Sequence, residues 1–178
     1  MLKLTKKADY GLIALRHLTA QQGGRPTASA KDIADAYRIP LPLLSKVLQK
    51  LVQKGMLISE QGVHGGYRLA RDASEITTLE VIRAIDGPII LTHCFTEHAE
   101  PVECSQSMGC PVREPLRKVH EGILRLLSSI TIADLTNDDM PGIAALVSSI
   151  QPTSAMRGSN LHAPTIQAPA APLGAESR

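Results

Sequence analysis

The sequence predicts a mainly α-helical protein with one small β-hairpin: a winged helix-turn-helix domain followed by a long dimerisation helix. Two short amphipathic segments around a tight turn, then two strands around a glycine-rich turn, predict the winged domain. A later helix with a narrow apolar seam predicts the dimerisation helix. We place the winged domain at 1–88, a cysteine segment at 89–112, the dimerisation helix with short helices at 113–150, and a disordered tail at 151–178.

Charge is distributed unevenly along a chain whose net charge is only +2. Residues 1–75 contain 12 Lys and Arg against 6 Asp and Glu, whereas residues 76–178 contain 7 against 11. A basic first part predicts contact with a polyanion, although a solvated basic surface without a partner has the same composition. The scarcity of aromatic residues argues against binding of single strands by base stacking. Because no apolar run approaches membrane-spanning length and no secretory signal is recognisable, we expect a cytoplasmic protein without a membrane partner.

The first two helices are predicted from apolar spacing and capping residues. The segment 5–21 has Ala8, Leu12, Leu15 and Leu18 at helical spacing and should end at Gly23-Gly24. The second helix should begin at Ser29, which forms a capping-box pattern with Asp32. Its expected inner face consists of Ile33, Ala34 and Tyr37.

The third helix, over 41–54, is the predicted recognition helix. Its expected inward residues are Leu44, Val47, Leu48, Leu51 and Val52. The opposite face carries hydroxyl, amide and amine groups, which suit contacts in the major groove of DNA. We predict phosphate contacts by Lys46 and Lys50, and base contacts by Ser45 and Gln49. The alternative is an ordinary amphipathic helix with a polar outer face, which the following hairpin makes less favourable.

Two short strands, at 56–59 and 67–70, flank a glycine-rich turn and predict the wing. Adjacent glycines allow the backbone to approach a phosphate closely or to turn sharply. The predicted DNA-contacting residues of this turn are Gln61, His64 and Gly65. A nucleotide-binding loop is disfavoured, because no strand-then-helix context surrounds the glycines.

Three further helical segments follow the wing. One begins at Thr77 with a second capping-box pattern, completed by Glu80, and its expected inward residues are Leu79, Ile82 and Ile85. The longest should cover 115–130, and its apolar residues recur at intervals of three and four: Leu116, Val119, Ile123, Leu126 and Ile130. So narrow a seam predicts two-stranded packing and a homodimer, the alternative being a helix that lies on its own domain. Short helices are expected at 131–135 and 140–150.

All three cysteines, Cys94, Cys104 and Cys110, fall in one polar segment that should be a loop. A loop that gathers thiolates is typical of an iron–sulfur cluster, either 2Fe–2S or 4Fe–4S. The main alternative is a zinc site that adds His93 or His98. A disulfide is disfavoured in a reducing compartment, and buried structural cysteines would need apolar neighbours that this segment lacks.

The sequence resembles the IscR-type winged-helix regulators over about residues 1–135, and within that family it looks most like the Suf-system regulators of iron–sulfur cluster assembly. The cysteines also precede a dimerisation helix, as in that family. The stretches that carry the resemblance are LTKKADYGL at 4–12, LLSKVLQKL at 43–51, GVHGGYRLA at 62–70, LTHC at 91–94 and CPVR at 110–113.

The resemblance implies a homodimer in which each subunit binds one iron–sulfur cluster and the dimer reads a partly palindromic operator in double-stranded DNA. Two departures matter. Many members have Arg in the wing where this chain has Gln61, so minor-groove reading by Arg is in question. IscR itself has His three residues after the third cysteine, whereas this chain has Arg113, which cannot bind a metal.

The fourth ligand of the cluster is therefore open. Asp9 matches the Asp that nitric-oxide-sensing members supply from the other subunit, and we expect it to serve here. The candidates within the loop are His93, His98 and Glu103.

The function expected from the sequence is a transcriptional regulator, a repressor, that senses cluster status and controls iron–sulfur assembly genes. A nitric-oxide- or iron-responsive repressor with the same cluster is the alternative, as is a zinc-stabilised DNA-binding protein without a redox role. An enzyme is disfavoured, because the sequence has no Cys-x-x-Cys pair, no nucleophile–base motif and no cofactor fingerprint.

Overall fold

The structure is a computed structural model that describes residues 4–21, 27–62, 65–92 and 109–137. Within these ranges no helix combines the length and the apolar character that a membrane span requires. Several predictions lie outside the described residues: the Gly23-Gly24 stop, wing residue His64, the helix at 140–150, the tail, and the loop residues His93, Cys94, His98, Glu103 and Cys104.

The predicted architecture is confirmed: the protein is mostly helical, with one two-stranded antiparallel hairpin. The helices are α1 (Lys6–Ala20), α2 (Ala30–Tyr37), α3 (Leu41–Gln53), α4 (Thr78–Asp86), α5 (Arg113–Ser129) and α6 (Ile132–Thr136). The strands are β1 (Leu57–Glu60) and β2 (Gly66–Leu69), and a short 3-10 turn (Ala73–Glu75) precedes α4.

Side-chain caps define most of the helix starts. Ser29 and Asp32 form the predicted reciprocal capping box of α2. At α4 the prediction was half wrong: the Thr77 side chain accepts from the Glu80 amide, but the Glu80 carboxylate accepts from Arg71 at 2.5 Å instead of turning back to the cap. An arginine offers a stronger partner to a carboxylate than a backbone amide does.

The core joins α1, α3 and α4 with the inner faces of α2, the hairpin and α6. The predicted inward residues of α3 are buried except for Val52, which is half-buried. On α2, Ile33 and Ala34 are buried, whereas the prediction for Tyr37 was wrong because that residue is 38% exposed. Tyr37 instead packs edge-on against the ring of His17 on α1, with ring centroids 5.5 Å apart.

A third strand-like segment, which was not predicted, completes the wing. Ala28 and Tyr67 exchange two backbone hydrogen bonds, of 3.1 and 2.8 Å, so the residues before α2 pair with β2. This pairing explains Gly66, since a Cβ atom there would lie 2.5 Å from the Ala28 carbonyl oxygen. The pairing thus fixes the wing to the start of the helix-turn-helix.

After α5 the chain returns to the winged domain. The Thr78 amide donates to the Ile130 carbonyl at 2.8 Å, and the Ile132 amide donates to the Ile76 carbonyl at 2.9 Å. Ile130 is therefore buried by its own domain, in contrast to its predicted place in the dimer seam. Ile132 is fully buried and belongs to the core, so α5 is anchored to the winged domain at its C-terminal end.

We expect Ile132→Ala to lower the free energy of unfolding by about 2–5 kcal/mol, because it leaves a cavity in the shared core. Urea denaturation followed by circular dichroism measures the loss. Ile58→Ala removes the same atoms from a side chain that is 37% exposed, and should cost under about 1 kcal/mol. Equal losses for the two variants would show that α6 is not part of the core.

Candidate DNA-binding surface and cysteine segment

The outer face of α3 is polar and exposed. Lys46, Gln49 and Gln53 follow one another at intervals of three and four, all are exposed, and they lie opposite the buried residues of the helix. The capped α2 and the turn at Ile39-Pro40 hold α3 in place, because both ends of that turn are buried or hydrogen-bonded into the domain. Gln53, which lies on the same face, was not among the residues predicted to contact DNA.

The two other predicted contact residues of α3 lie on its flanks. Ser45 is half-buried on one side of the exposed face. Lys50 lies on the other side, and its ammonium donates to the Ile85 carbonyl at the end of α4 at 2.7 Å. The two lysines therefore differ in their surroundings, because the Lys50 ammonium is bound to α4 and Lys46 lies on the exposed face. The sequence had predicted the same role for both.

The wing turn is shaped by its glycines. Gly62 has a φ of 125°, which L-residues rarely adopt, and the Gly65 amide donates to the Gly62 carbonyl at 2.9 Å. A Cβ atom on Gly65 would lie 2.5 Å from the Glu60 carbonyl oxygen, so this position requires glycine. Gln61 is exposed at the tip. The Arg68 guanidinium is bound to the Glu60 carboxylate across the hairpin, so the positive charge of the wing is largely offset.

One exposed cation beside α3 was not predicted. Arg38 caps the C-terminus of α2 in the left-handed conformation, with a φ of 53°, and lies three residues before α3 begins. Its side chain is exposed at the turn of the helix-turn-helix, where backbone phosphates are commonly contacted. No sequence rule favours an arginine at this cap, where Gly or Asn is usual, so pattern reading could not single it out.

Cys110 is the one predicted thiol ligand within the described ranges. It is half-buried and not in a disulfide, and its carbonyl oxygen accepts from the Arg113 amide that begins α5. In the same ranges no three His, Cys, Asp or Glu side chains come together as a metal site. The predicted set can therefore be complete only with residues from 93–108, which lie outside those ranges.

Asp9 lies in the first turn of α1 and is exposed. Its carboxylate makes no hydrogen bond or ion pair within the part of the chain that the structure describes. The start of the same helix is close to the chain that leads towards Cys94, because the Thr5 hydroxyl donates to Asp86 at 2.7 Å. Asp9 and the start of the cysteine segment thus lie at one end of the domain.

An apolar cavity of about 420 Å³ opens at that end. It is bounded by the start of α1, the end of α4, the chain at 87–90 and one face of α5. On α5 no residue is buried, and Val119 remains 51% exposed. Charged side chains line the opposite face, where Arg117 is bound to Glu114 and Glu121. Within the described ranges, the helix therefore presents an apolar strip that the rest of the chain does not fully cover.

Comparison with known proteins identifies the family. Residues 4–138 match Rrf2, described as an iron-dependent transcriptional regulator. The chain belongs to the Rrf2 family. Rrf2 proteins are DNA-binding transcriptional regulators, and this Rrf2 protein is accordingly a regulator and not an enzyme.

Solved structures agree with this assignment. IscR of T. potens is 26% identical, with a TM-score of 0.57, and the match covers 87% of this chain and 96% of that one. CymR (YrzC), the global cysteine regulator of B. subtilis, is 28% identical, with a TM-score of 0.54 and coverage of 76% and 97%. CymR of Staphylococcus aureus is 23% identical with a TM-score of 0.59 over 76% and 98% of the chains, which shows the fold alone.

Proposed function

We propose that this Rrf2 protein is a homodimeric repressor that senses iron–sulfur cluster status and controls iron–sulfur assembly genes, as the Suf-system regulators do. The observation that carries the proposal is the position of the three cysteines. They all lie between the DNA-binding domain and α5, the helix that returns to the core of that domain. A change in this segment would therefore reach the winged domain both through the end of α4 and through α5.

The exposed face of α3 supports the proposed contacts with DNA. Lys46 would neutralise a phosphate, while Gln49 and Ser45 would reach base edges in the major groove. Gln61, His64 and Gly65 would bring the wing to the backbone or minor groove. Because Gln61 is uncharged and Arg68 is bound to Glu60, we expect the wing to contribute less to affinity than α3 does.

The exposed apolar strip of α5 supports the proposed dimerisation. Leu116, Ile123 and Leu126 are half-buried and Val119 is exposed, so a second copy of the helix would remove apolar surface that the single chain leaves in water. A twofold dimer would place its two recognition helices on half-sites roughly one helical turn apart.

The donor set fits an iron–sulfur cluster. Cys110 has a half-buried thiol that is not in a disulfide, and Cys94 and Cys104 supply two more thiols in the same segment. When bound, a cluster would supply oxidation-sensitive iron–thiolate bonds. Cys94, Cys104 and Cys110 would hold the group, and Cys110 lies directly before α5. Asp9 would supply a weak, replaceable fourth ligand from the partner subunit.

Paired anaerobic samples test the proposal. Protein purified without air should be brown and contain iron and acid-labile sulfide. Operator affinity, measured by fluorescence anisotropy with apo and cluster-loaded samples, should differ at least about tenfold between the two forms. A colourless, zinc-loaded protein would support the zinc-stabilised alternative. A cluster-loaded protein whose operator affinity changes only on exposure to nitric oxide would support the alternative of a nitric-oxide-responsive repressor.

We expect Asp9→Ala to retain iron but to change the visible spectrum and to hasten cluster loss in air, because one ligand is exchanged for water. Asp35→Ala removes an equally exposed carboxylate from α2 and should leave the spectrum unchanged. His93→Ala and His98→Ala should also be silent. A silent Asp9→Ala together with iron loss in a histidine variant would assign the fourth ligand to the loop.

A further inference from the structure

The flank of the recognition helix is joined to the end of α4 by one charged hydrogen bond. The Lys50 ammonium lies 2.7 Å from the Ile85 carbonyl oxygen. The last carbonyls of a helix lack intrahelical donors, and the partial negative charge of the C-terminus favours a cation there. A hydrogen bond from an ammonium is stronger than one between neutral groups. In this arrangement the Lys50 ammonium provides a donor for a carbonyl at the end of α4. Its side chain does not project from the centre of the DNA-facing side.

The same turn of α4 is also held by α1. The Thr5 hydroxyl and amide donate to the Asp86 carboxylate at 2.7 and 3.4 Å. Ile85 packs against Gly11, where a Cβ atom would lie 2.3 Å from the Ile85 Cδ1 atom. Residues 85–86 are thus contacted by both α1 and α3, and Asp9 lies in α1 between Thr5 and Gly11.

The chain leaves the winged domain immediately after this turn. Gly87 ends α4 with a φ of 88°, and the residues up to 92 lead to Cys94. The start of α1, which carries Asp9, and the chain that leads to the cysteine segment therefore both adjoin residues 85–86. From there, the Lys50 bond is a direct polar link to the recognition helix.

We propose that Lys50 is a positioning residue, which holds α3 against the end of α4 and carries changes in the cysteine segment to the recognition helix, instead of neutralising a DNA phosphate. The contact between α3 and α4 belongs to the winged domain itself, whereas the coupling to the cysteine segment rests on the proposed cluster-sensing function.

Salt dependence of operator binding separates a positioning residue from a phosphate contact. Each lost phosphate contact lowers the slope of log affinity against log salt by about one. Lys46→Met, on the exposed face, should show this fall. Lys50→Met keeps the aliphatic stem and removes the ammonium. It should lower operator affinity about three- to tenfold with an unchanged slope, because α3 is less well fixed.

A measurement without DNA tests the bond directly. In the free protein, Lys50→Met should shift the carbonyl carbon resonance of Ile85, whereas Lys46→Met should not. A fall in salt slope equal to that of Lys46→Met would overturn the proposal, and so would an unchanged operator affinity or an unchanged Ile85 resonance.

The coupling between the cysteine segment and α3 is tested by comparing the operator affinities of apo and cluster-loaded protein. In Lys50→Met the ratio of apo to cluster-loaded operator affinity should move towards one, whereas in Lys46→Met both affinities should fall by the same factor and keep their ratio. An unchanged ratio in Lys50→Met would overturn the coupling. A wild-type protein that takes up no cluster would instead refute the proposed function, while the salt slope would still decide the role of Lys50.

Discussion

Val119→Glu is expected to convert the protein from a dimer to a monomer. Val119 is 51% exposed in the single chain, so the substitution should leave the fold of the subunit intact. In a dimer joined through α5, the same carboxylate would be buried without a partner, which costs several kcal/mol. We expect the dimer dissociation constant to rise at least about 100-fold, measured by analytical ultracentrifugation.

Loss of the dimer should also weaken binding to DNA. Two DNA-binding domains joined in a dimer bind up to about 10²–10⁴ times more tightly than one domain, because the second contact is made within the same complex. Val119→Glu should therefore bind a two-half-site operator at least about 100-fold more weakly and protect only half of it in a footprint.

Ser128→Glu provides the matched control, because it adds one carboxylate to the charged side of the same helix, where Ser128 is exposed. It should remain dimeric and protect both half-sites. If Val119→Glu did the same, the dimer would not use this face of α5.

The parts of the fold that could be predicted from the sequence depend on local interactions. Ser29 and Asp32 are three residues apart, so their capping box can be read from the chain alone. The inner face of α3 follows from helical periodicity, and the wing glycines follow from turn chemistry. In each case the groups that decide the structure are within a few residues of one another.

The parts that were missed depend on distant partners. Glu80 would have completed a cap, but Arg71 arrives from the end of the hairpin and binds it. Ile130 continues the seam spacing, but a backbone bond from Thr78 buries it in the winged domain. The Lys50 ammonium meets a carbonyl 35 residues away in sequence. Periodicity in the sequence predicts which face of a helix a residue lies on. It does not predict which other element will pack against that face.

The candidate site also has residues that could be predicted from local sequence and residues that could not. The polar face of α3 could be predicted, because all its residues share one helix. The cysteines could be recognised as a group by their proximity in sequence, and the structure adds that Cys110 lies beside the start of α5. The fourth ligand could not be predicted from spacing, since a ligand from another element or another subunit leaves no local pattern.

Replacing any one of Cys94, Cys104 and Cys110 by Ala is expected to abolish iron loading. A site with three thiolates has at most one other protein ligand, and losing one thiolate leaves the iron open to water and oxygen. Iron and acid-labile sulfide should fall from near stoichiometric to background, and the visible absorbance should disappear. Stability should change by less than about 1 kcal/mol, because Cys110 is outside the buried core and the other two belong to the same polar segment.

Ser105→Ala is the control for this series, because it changes the residue next to Cys104 without removing a thiol. It should keep full iron and sulfide. A cysteine variant that retained both would not have lost a ligand, and the site would then need a different third donor. If all three variants lost zinc instead of iron, the same residues would form a structural metal site. The operator affinity of the wild-type protein should then depend on chelators but not on oxidants, because zinc has no redox chemistry and its removal affects folding.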